Sequence, residues 1–376
     1  MQSFWEGLPK PFFIQAPMED VTDAAFRQLI ARFGKPHVMF TEFTSADGLV
    51  LAPEEGRRHL LKKLEYSPEE RPIVAQLFSA IPERMEAAAK LCAELGFDGI
   101  DINMGCPVDD VVKTGCGAAL IKTPALAREL IRAAQKSGLP VSVKTRIGYD
   151  KDELDTWLPE LLAENLACVT IHARTRKEMS AVPARWDAVA RAVAIRDKLG
   201  SKTLIVGNGD ITHISDGRQR CVYAGCDGVM LGRAIYGNPW LYRDLHIRRT
   251  ASLRGPDVSL TVPMYGSEPV PPAPRIASES ATPVEVTDSA YVPTPQERIS
   301  ALIEHIKLFE ERLGGFSNFA TMKKHFKAYI SGWDGAKDLR VRLMAISTAA
   351  EALAILHDVR YPEIGEAVMN SSVTET

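Results

Sequence analysis

Eight short apolar runs, separated by stretches of helical periodicity, fill the first two-thirds of the chain and decide its fold class. They occupy residues 12–18, 38–43, 72–78, 99–107, 140–146, 168–174, 203–209 and 228–233. Between them the helical pattern is clearest over 81–95, where Met85, Ala88, Ala89, Leu91 and Cys92 recur at helical spacing. Strands alternating with helices imply a parallel sheet. Eight repeats predict an α/β fold, a (β/α)8 TIM barrel of about 250 residues. A doubly wound sheet would place a glycine-rich turn after its first strand, and here that strand ends in Ala16-Pro17-Met18. Nearly every run carries its unusual residues at the carboxyl end: Met18, Glu42, Gln76, Asn103 with Cys106, Lys144 with Arg146, His172 with Arg174, Asn208 with Gly209, and Gly232 with Arg233. Barrel enzymes carry their chemistry at that end.

The barrel is expected over 1–249. From 250 to 293 the chain turns to Pro, Ser, Thr, Val and Glu without a period, which reads as a linker or insertion. Thr294, Pro295 and Glu297 form a helix-start signature, and helical pattern follows, broken near 314–315 and 332–335. A small all-α helical domain is therefore expected over 294–360, followed by a flexible tail at 361–376.

With 45% hydrophobic and 25% charged residues, the chain is that of a soluble globular protein. Its first residues lack the basic and apolar regions of a signal peptide, and no apolar run is long enough to cross a bilayer; a cytoplasmic, monomeric protein without membrane partners is expected. The six cysteines are expected to be free thiols. Only Cys221 and Cys226 are spaced like half of a zinc site, and no second pair completes it, so no metal is expected. A net charge of −3 argues against a uniformly basic nucleic-acid binder. Local clusters remain: Arg174, Arg176 and Lys177; Arg243, Arg248 and Arg249; Lys323, Lys324, His325 and Lys327. Each is otherwise a solvated face.

Several carboxyl-end residues carry two readings. Asn208-Gly209-Asp210 and Gly232-Arg233 end the seventh and eighth runs, where barrels commonly hold a phosphate, or else form ordinary turns. Lys144, inside an apolar run, needs an anionic partner: the N1–O2 edge of a flavin, or a carboxylate such as Glu42 or Asp101. Gln76 could hydrogen-bond the same ring or fill a polar layer of the barrel, and His172 could touch a phosphate or sit satisfied in the core. Cys106, between Gly105 and Pro107 at a strand-to-loop junction, is either a small buried hydrophobe or a reactive thiol.

Taken in order, Ala16-Pro-Met18, Thr41-Glu-Phe43, Val74-Ala-Gln-Leu-Phe78, Asp101-Ile-Asn-Met-Gly-Cys-Pro107, Val143-Lys-Thr-Arg146, Thr170-Ile-His-Ala-Arg174, Val206-Gly-Asn-Gly-Asp210 and Leu231-Gly-Arg233 resemble the tRNA-dihydrouridine synthases. The likeness resumes from Met322-Lys-Lys-His325 to Arg340, which resembles that family's helical RNA-binding domain. The resemblance implies an FMN-containing barrel that reduces uridines of tRNA, with NADPH or NADH reloading the flavin. Carried over, Ala16, Pro17, Met18, Gln76, Lys144, His172, Asn208, Gly209, Asp210, Gly232 and Arg233 would hold FMN. Asn103 and Arg146 would face the uracil, Arg174 would bind the substrate beside them, and Lys323, Lys324 and Lys327 would grip tRNA phosphates. Cys106 matches the family's proton donor. Hydride addition at uracil C6 leaves an enolate that must be protonated at C5, and a thiol with a pKa near roughly 8.5 holds a proton at neutral pH. Arg146 could stabilise that enolate. The chain departs from the family where lysines often follow the Cys-Pro pair: it has Asp109 and Asp110, with Lys113 beyond them. Two rival functions share parts of this pattern. An FMN barrel acting on a small pyrimidine or enone would need no helical appendage, and a non-catalytic tRNA-binding protein would need neither Cys106 nor Lys144.

Overall fold

The computed structural model describes residues 3–245 and 291–359. The expected linker lies outside them except for its last three residues, as do Arg248, Arg249 and the tail at 361–376. Nine strands form one parallel sheet: β1 (Phe12–Gln15), β2 (Met39–Phe40), β3 (Thr44–Ser45), β4 (Ile73–Phe78), β5 (Gly99–Met104), β6 (Val141–Arg146), β7 (Cys168–His172), β8 (Leu204–Asn208) and β9 (Gly228–Leu231). Their order is β1-β9-β8-β7-β6-β5-β4-β2, with β3 also on β4. An Ile14–Val38 bridge and the Gln15 N–H donating to the Val38 carbonyl at 3.1 Å close the ring between β1 and the start of β2. The eight expected runs are thus the eight staves of a TIM barrel. The second stave is split, because Thr41, Glu42 and Phe43 leave the ladder between β2 and β3.

The period of two along each strand explains what lies inside. On β5, Ile100 and Ile102 face outward into the core beneath the helices, while Asp101 and Asn103 face inward. The lower barrel is apolar, built from Phe12, Ile14, Phe40, Val74, Cys168, Val206 and Met230. The turn Phe4–Gly7 plugs that end by setting Trp5 edge-on to Phe12 at 5.9 Å. One residue pair further along each strand the interior turns polar, with Gln76, Asp101, Asn103, Ser142 and Lys144. Sequence polarity rising towards the carboxyl end has become a polar upper layer under an open mouth.

Helix Pro295–Leu313 starts at the expected capping box, with Thr294 Oγ1 accepting from the Glu297 N–H at 3.2 Å and Glu297 Oε2 accepting from the Thr294 N–H at 2.8 Å. The helices that follow, among them Lys323–Tyr329, Ala336–Ala345 and Ala349–His357, share a continuous apolar core with the barrel. Helix Ala24–Gly34, directly after β1, packs along helix Pro295–Leu313. Phe26 lies at 4.8 Å from both the His305 and His325 rings, which are themselves 4.5 Å apart. His325 therefore does not belong to a basic surface cluster. It falls on the Met322, Phe326 and Tyr329 stripe of its helix and is buried.

Burial without a hydrogen-bond partner on either ring nitrogen lowers the His325 pKa to about 3, with Lys324 adding to the effect. Below pH 6.5 the unfolded chain takes up a proton that the folded chain refuses, so this group costs stability as pH falls. His325→Leu removes the cost. Relative to the parent, the variant should gain about 2 kcal/mol between pH 7 and pH 5 (about 1.4 kcal/mol per pH unit below 6.5), read by urea unfolding at both values. A pH-independent difference would contradict a neutral buried imidazole. Among the described residues no helix is long and apolar enough to cross a membrane.

Candidate active site

The carboxyl ends of β1 and β6–β9 surround a cavity of about 670 Å³ at the barrel mouth. Its walls include Ala16, Pro17 and Met18 after β1, Lys144 and Arg146 on β6, His172 on β7, Asn208, Gly209 and Asp210 at the end of β8, and Gly232 and Arg233 after β9. Ten of the eleven residues expected at the cofactor site thus line one cavity. Gln76 does not. Its Nε2 donates to Asp101 Oδ2 at 2.7 Å and its Oε1 accepts from Asn103 Nδ2 at 3.1 Å, so its amide belongs to the polar layer below.

That layer fixes the loop after β5. Ser142 Oγ donates to Asp101 Oδ1 at 2.6 Å, Asp101 takes the Gln76 amide, and Gln76 takes Asn103. Asn103 Oδ1 then accepts from the Gly105 and Cys106 N–H groups at 3.1 and 2.8 Å. From the other side Arg146 Nε donates to the Gly105 carbonyl at 2.9 Å. Asn103, expected to face a substrate base, holds the loop through these bonds and is not among the residues lining this cavity. Cys106 is half-buried, with Pro107 next to it on the cavity wall. Burial raises its thiol pKa, against the opposing pull of the Val108 N–H and of the Lys144 and Arg146 charges. The thiol therefore keeps its proton at neutral pH.

Charge on the walls is strongly structured. Lys144 Nζ makes no hydrogen bond or ion pair among the described residues; the buried Asp101 carboxyl acts on it through space, opposing the effect of burial. Burial and the Arg146 charge bring its pKa down to about 8. Arg146 also binds the Thr175 and Met179 carbonyls through Nη1, each at 3.0 Å. Burial and the Arg174 charge lower its pKa to about 10, which leaves it a cation. Arg174, read in the sequence as part of a basic cluster, is buried. It reaches Asp210 Oδ2 at 2.5 Å and His172 Nε2 at 3.1 Å. His172 accepts that bond, and burial together with the Lys144 and Arg146 charges holds its pKa far below the usual value. It is a neutral imidazole.

Asp210 bridges Arg174 and Arg233, whose Nη2 lies 3.0 Å from its Oδ1. Burial would raise its pKa, but the Arg174 bond and the Ala184 N–H outweigh that and hold the carboxylate below its ordinary range. Beside it, Gly209 at φ +127° turns where a Cβ would stand 2.8 Å from that of Ala184, so the backbone itself forms the wall.

Sequence periodicity missed Met179 and Ser180, which reach the cavity from the loop after β7, and Thr212 from the loop after β8. No strand or helix pattern extends into those loops. Glu42 sits in a smaller cavity of about 150 Å³ with Asp20, Asp23 and Lys63. Burial and the nearby Asp23 raise its pKa to about 7. Its neighbours Glu19 and Asp20 are answered by the ammonium groups of Lys63 and Lys324. Of the three expected phosphate-gripping lysines, Lys323 donates to the Met344 carbonyl, Lys324 pairs with Asp20 at 2.8 Å, and Lys327 is exposed. Cys221 and Cys226 are free thiols, 3.4 Å apart between sulfurs.

The sequence matches the Dihydrouridine synthase family profile over residues 14–260. A Staphylococcus aureus (strain COL) protein named "Probable tRNA-dihydrouridine synthase" is 36% identical over 359 residues, covering 95% of both chains. One from Bacillus subtilis (strain 168), "Probable tRNA-dihydrouridine synthase 2", is 36% identical over 359 residues, covering 95% of this chain and 96% of its own.

Proposed function

Because the chain belongs to the dihydrouridine synthase family, we propose that its cavity holds FMN and that Cys106 supplies the proton in the reaction it catalyses, reduction of uridine in tRNA to dihydrouridine. The observation that carries the proposal is the Cys106 loop itself. Three hydrogen bonds with Asn103 and Arg146 fix the backbone that carries a protonated Cys106 thiol, beside a cavity in whose wall Lys144 Nζ has no hydrogen bond or ion pair among the described residues.

The donor set fits a flavin mononucleotide. Lys144 offers an unpaired cation to the N1–O2 edge, where negative charge accumulates on reduction. Neutral His172, the Asn208–Asp210 backbone and Arg233 offer a phosphate cradle of the kind barrels build after strands seven and eight. When bound and reduced, the flavin supplies a hydride to uracil C6.

The remaining steps belong to the chain. Cys106 Sγ gives its proton to C5, so the C5–C6 double bond becomes single and the thiolate takes a proton back from water. Arg146, still charged, stabilises the negative oxygen that forms on the ring between the two transfers, and Lys144 and Arg146 together ease the thiolate. Asn103 acts as a positioning residue through the backbone of Gly105 and Cys106. Exposed Lys327 and the helices around it contribute the grip on tRNA phosphates, while NADPH or NADH reloads the flavin.

Purified protein should carry a flavin chromophore and convert tRNA lacking dihydrouridine when given NADPH or NADH. A flavin-loaded protein that makes no dihydrouridine under either reductant would overturn the reading. Gly117 provides a sharper check on the loop. At φ +59° its position would bring a Cβ to 2.8 Å from the Cys106 carbonyl oxygen and 3.2 Å from the Cys106 Cβ. Gly117→Ala should lower the turnover of uridine by about tenfold to a hundredfold with the fold retained, since displacements of this size are felt strongly at a reacting centre. Unchanged turnover would mean that the loop position is not critical.

A further inference from the structure

We propose that Arg176, backed by Tyr149 and Lys122, is a docking site for an RNA phosphate on the cavity rim, and that Asp109 occupies it until RNA arrives. The inference rests on tRNA being the substrate. Arg176 Nη2 and Asp109 Oδ1 are 2.5 Å apart, joining the loop after β7 to the short helix that follows Cys106 and Pro107. The guanidinium carbon lies 5.3 Å from the Tyr149 ring centroid, and Lys122 Nζ lies 3.5 Å from the same centroid. Two cations thus share one half-buried aromatic ring.

Arg176 is held in place without Asp109. Its N–H donates to the Gly148 carbonyl and that of Lys177 to the Tyr149 carbonyl, both at 2.9 Å. On either side of it, Thr175 and Met179 give their carbonyls to Arg146. The guanidinium is therefore carried on backbone tied directly to the cavity wall. Asp109, by contrast, is 71% exposed and makes no other ion pair among the described residues. Exposed pairs of this kind contribute little and are screened by salt.

Among the described residues only one nitrogen of the Arg176 guanidinium is engaged, and its forked geometry suits a phosphate better than a single carboxylate oxygen. A uridine turned out of its loop towards Cys106 brings its own flanking phosphates to this rim. An unpaired carboxylate three residues from Cys106 would repel them. Paired to Arg176, Asp109 is neutralised in the free protein and must yield when a phosphate takes its place, so it acts as a competitor built into the substrate path.

Binding of tRNA lacking dihydrouridine, followed across a salt series with the flavin-loaded protein, tests the inference. Asp109→Asn should tighten binding about fivefold. The slope of log affinity against log salt should become steeper by about 0.7 to 0.9. In an Arg176→Ala background the same substitution should change affinity less than about twofold. Unaltered or weaker binding by Asp109→Asn overturns the docking site, as does an equal gain with and without Arg176, which would mark a general charge effect. Melting curves of each variant establish that the fold is kept. If the parent binds tRNA and makes dihydrouridine while Asp109→Asn is indistinguishable from it, the docking site fails alone; if the parent does not bind tRNA, the substrate reading fails and takes the site with it.

Discussion

Cys106→Ala should reduce the rate of dihydrouridine formation by about 10² to 10⁴, the range a positioned general acid contributes. The thiol, kept protonated by burial, stands on a loop whose backbone is fixed from two sides. Alanine keeps that backbone, because the Asn103, Arg146 and Ala118 hydrogen bonds all use main-chain atoms of residues 105 and 106. Flavin content and tRNA affinity should therefore survive while chemistry fails. Cys106→Ser retains the size but offers a hydroxyl that is far less acidic, and should rescue little. Single-turnover measurement with pre-reduced enzyme separates this effect from flavin reduction by the nicotinamide. A loss under tenfold would show that water or another residue protonates C5.

Arg27→Met should destabilise the protein by about 3–5 kcal/mol. Arg27 is fully buried in helix Ala24–Gly34. Its Nε donates to Glu70 Oε2 at 2.7 Å, its Nη1 to the Thr22 carbonyl at 2.8 Å and its Nη2 to the Glu65 carbonyl at 2.5 Å. The methionine leaves Glu70, also buried, without its ion-pair partner, together with two carbonyls that lose their donor. Removing one partner of a buried pair costs more than the pair is worth, so Arg27→Met with Glu70→Met should recover much of the loss. Urea unfolding of the single and double variants measures both, and a single-variant loss below about 1 kcal/mol would contradict the count of lost partners. The site should feel the change too, since Thr22 Oγ1 accepts from the N–H of Met18 on the cavity wall at 2.9 Å.

The barrel was legible because its signal is local and repeated. Eight runs with the same polarity gradient can be read without knowing what touches what, and ten cavity residues lie at the ends of those runs. What escaped is set by contacts between distant parts. Lys144 offered a choice between a carboxylate and a ligand, and only the fold shows Asp101 turned to Ser142 and Gln76 for its hydrogen bonds. Asn103 and Gln76 read as ligand groups in sequence because they are polar residues near strand ends; that their hydrogen bonds also run sideways along the layer is visible only in the fold. His325 could have been found: Met322 and Tyr329, three residues before it and four after, mark the apolar stripe on which it falls, with Phe326 beside it. Asp109 and Arg176 are 67 residues apart, beyond any periodicity, and only the fold brings them together.

Helix Ala24–Gly34 follows within ten residues of Met18 on the cavity wall, and its Phe26 is clasped between His305 and His325 of the C-terminal helices. One rigid rod thus has its root at the reacting centre and its flank in the appendage. The span from the outer face of those helices to the mouth is set by side-chain packing rather than by the reach of a tether. The molecule carries a ruler, and the graduations are cut where phenylalanine meets two imidazoles.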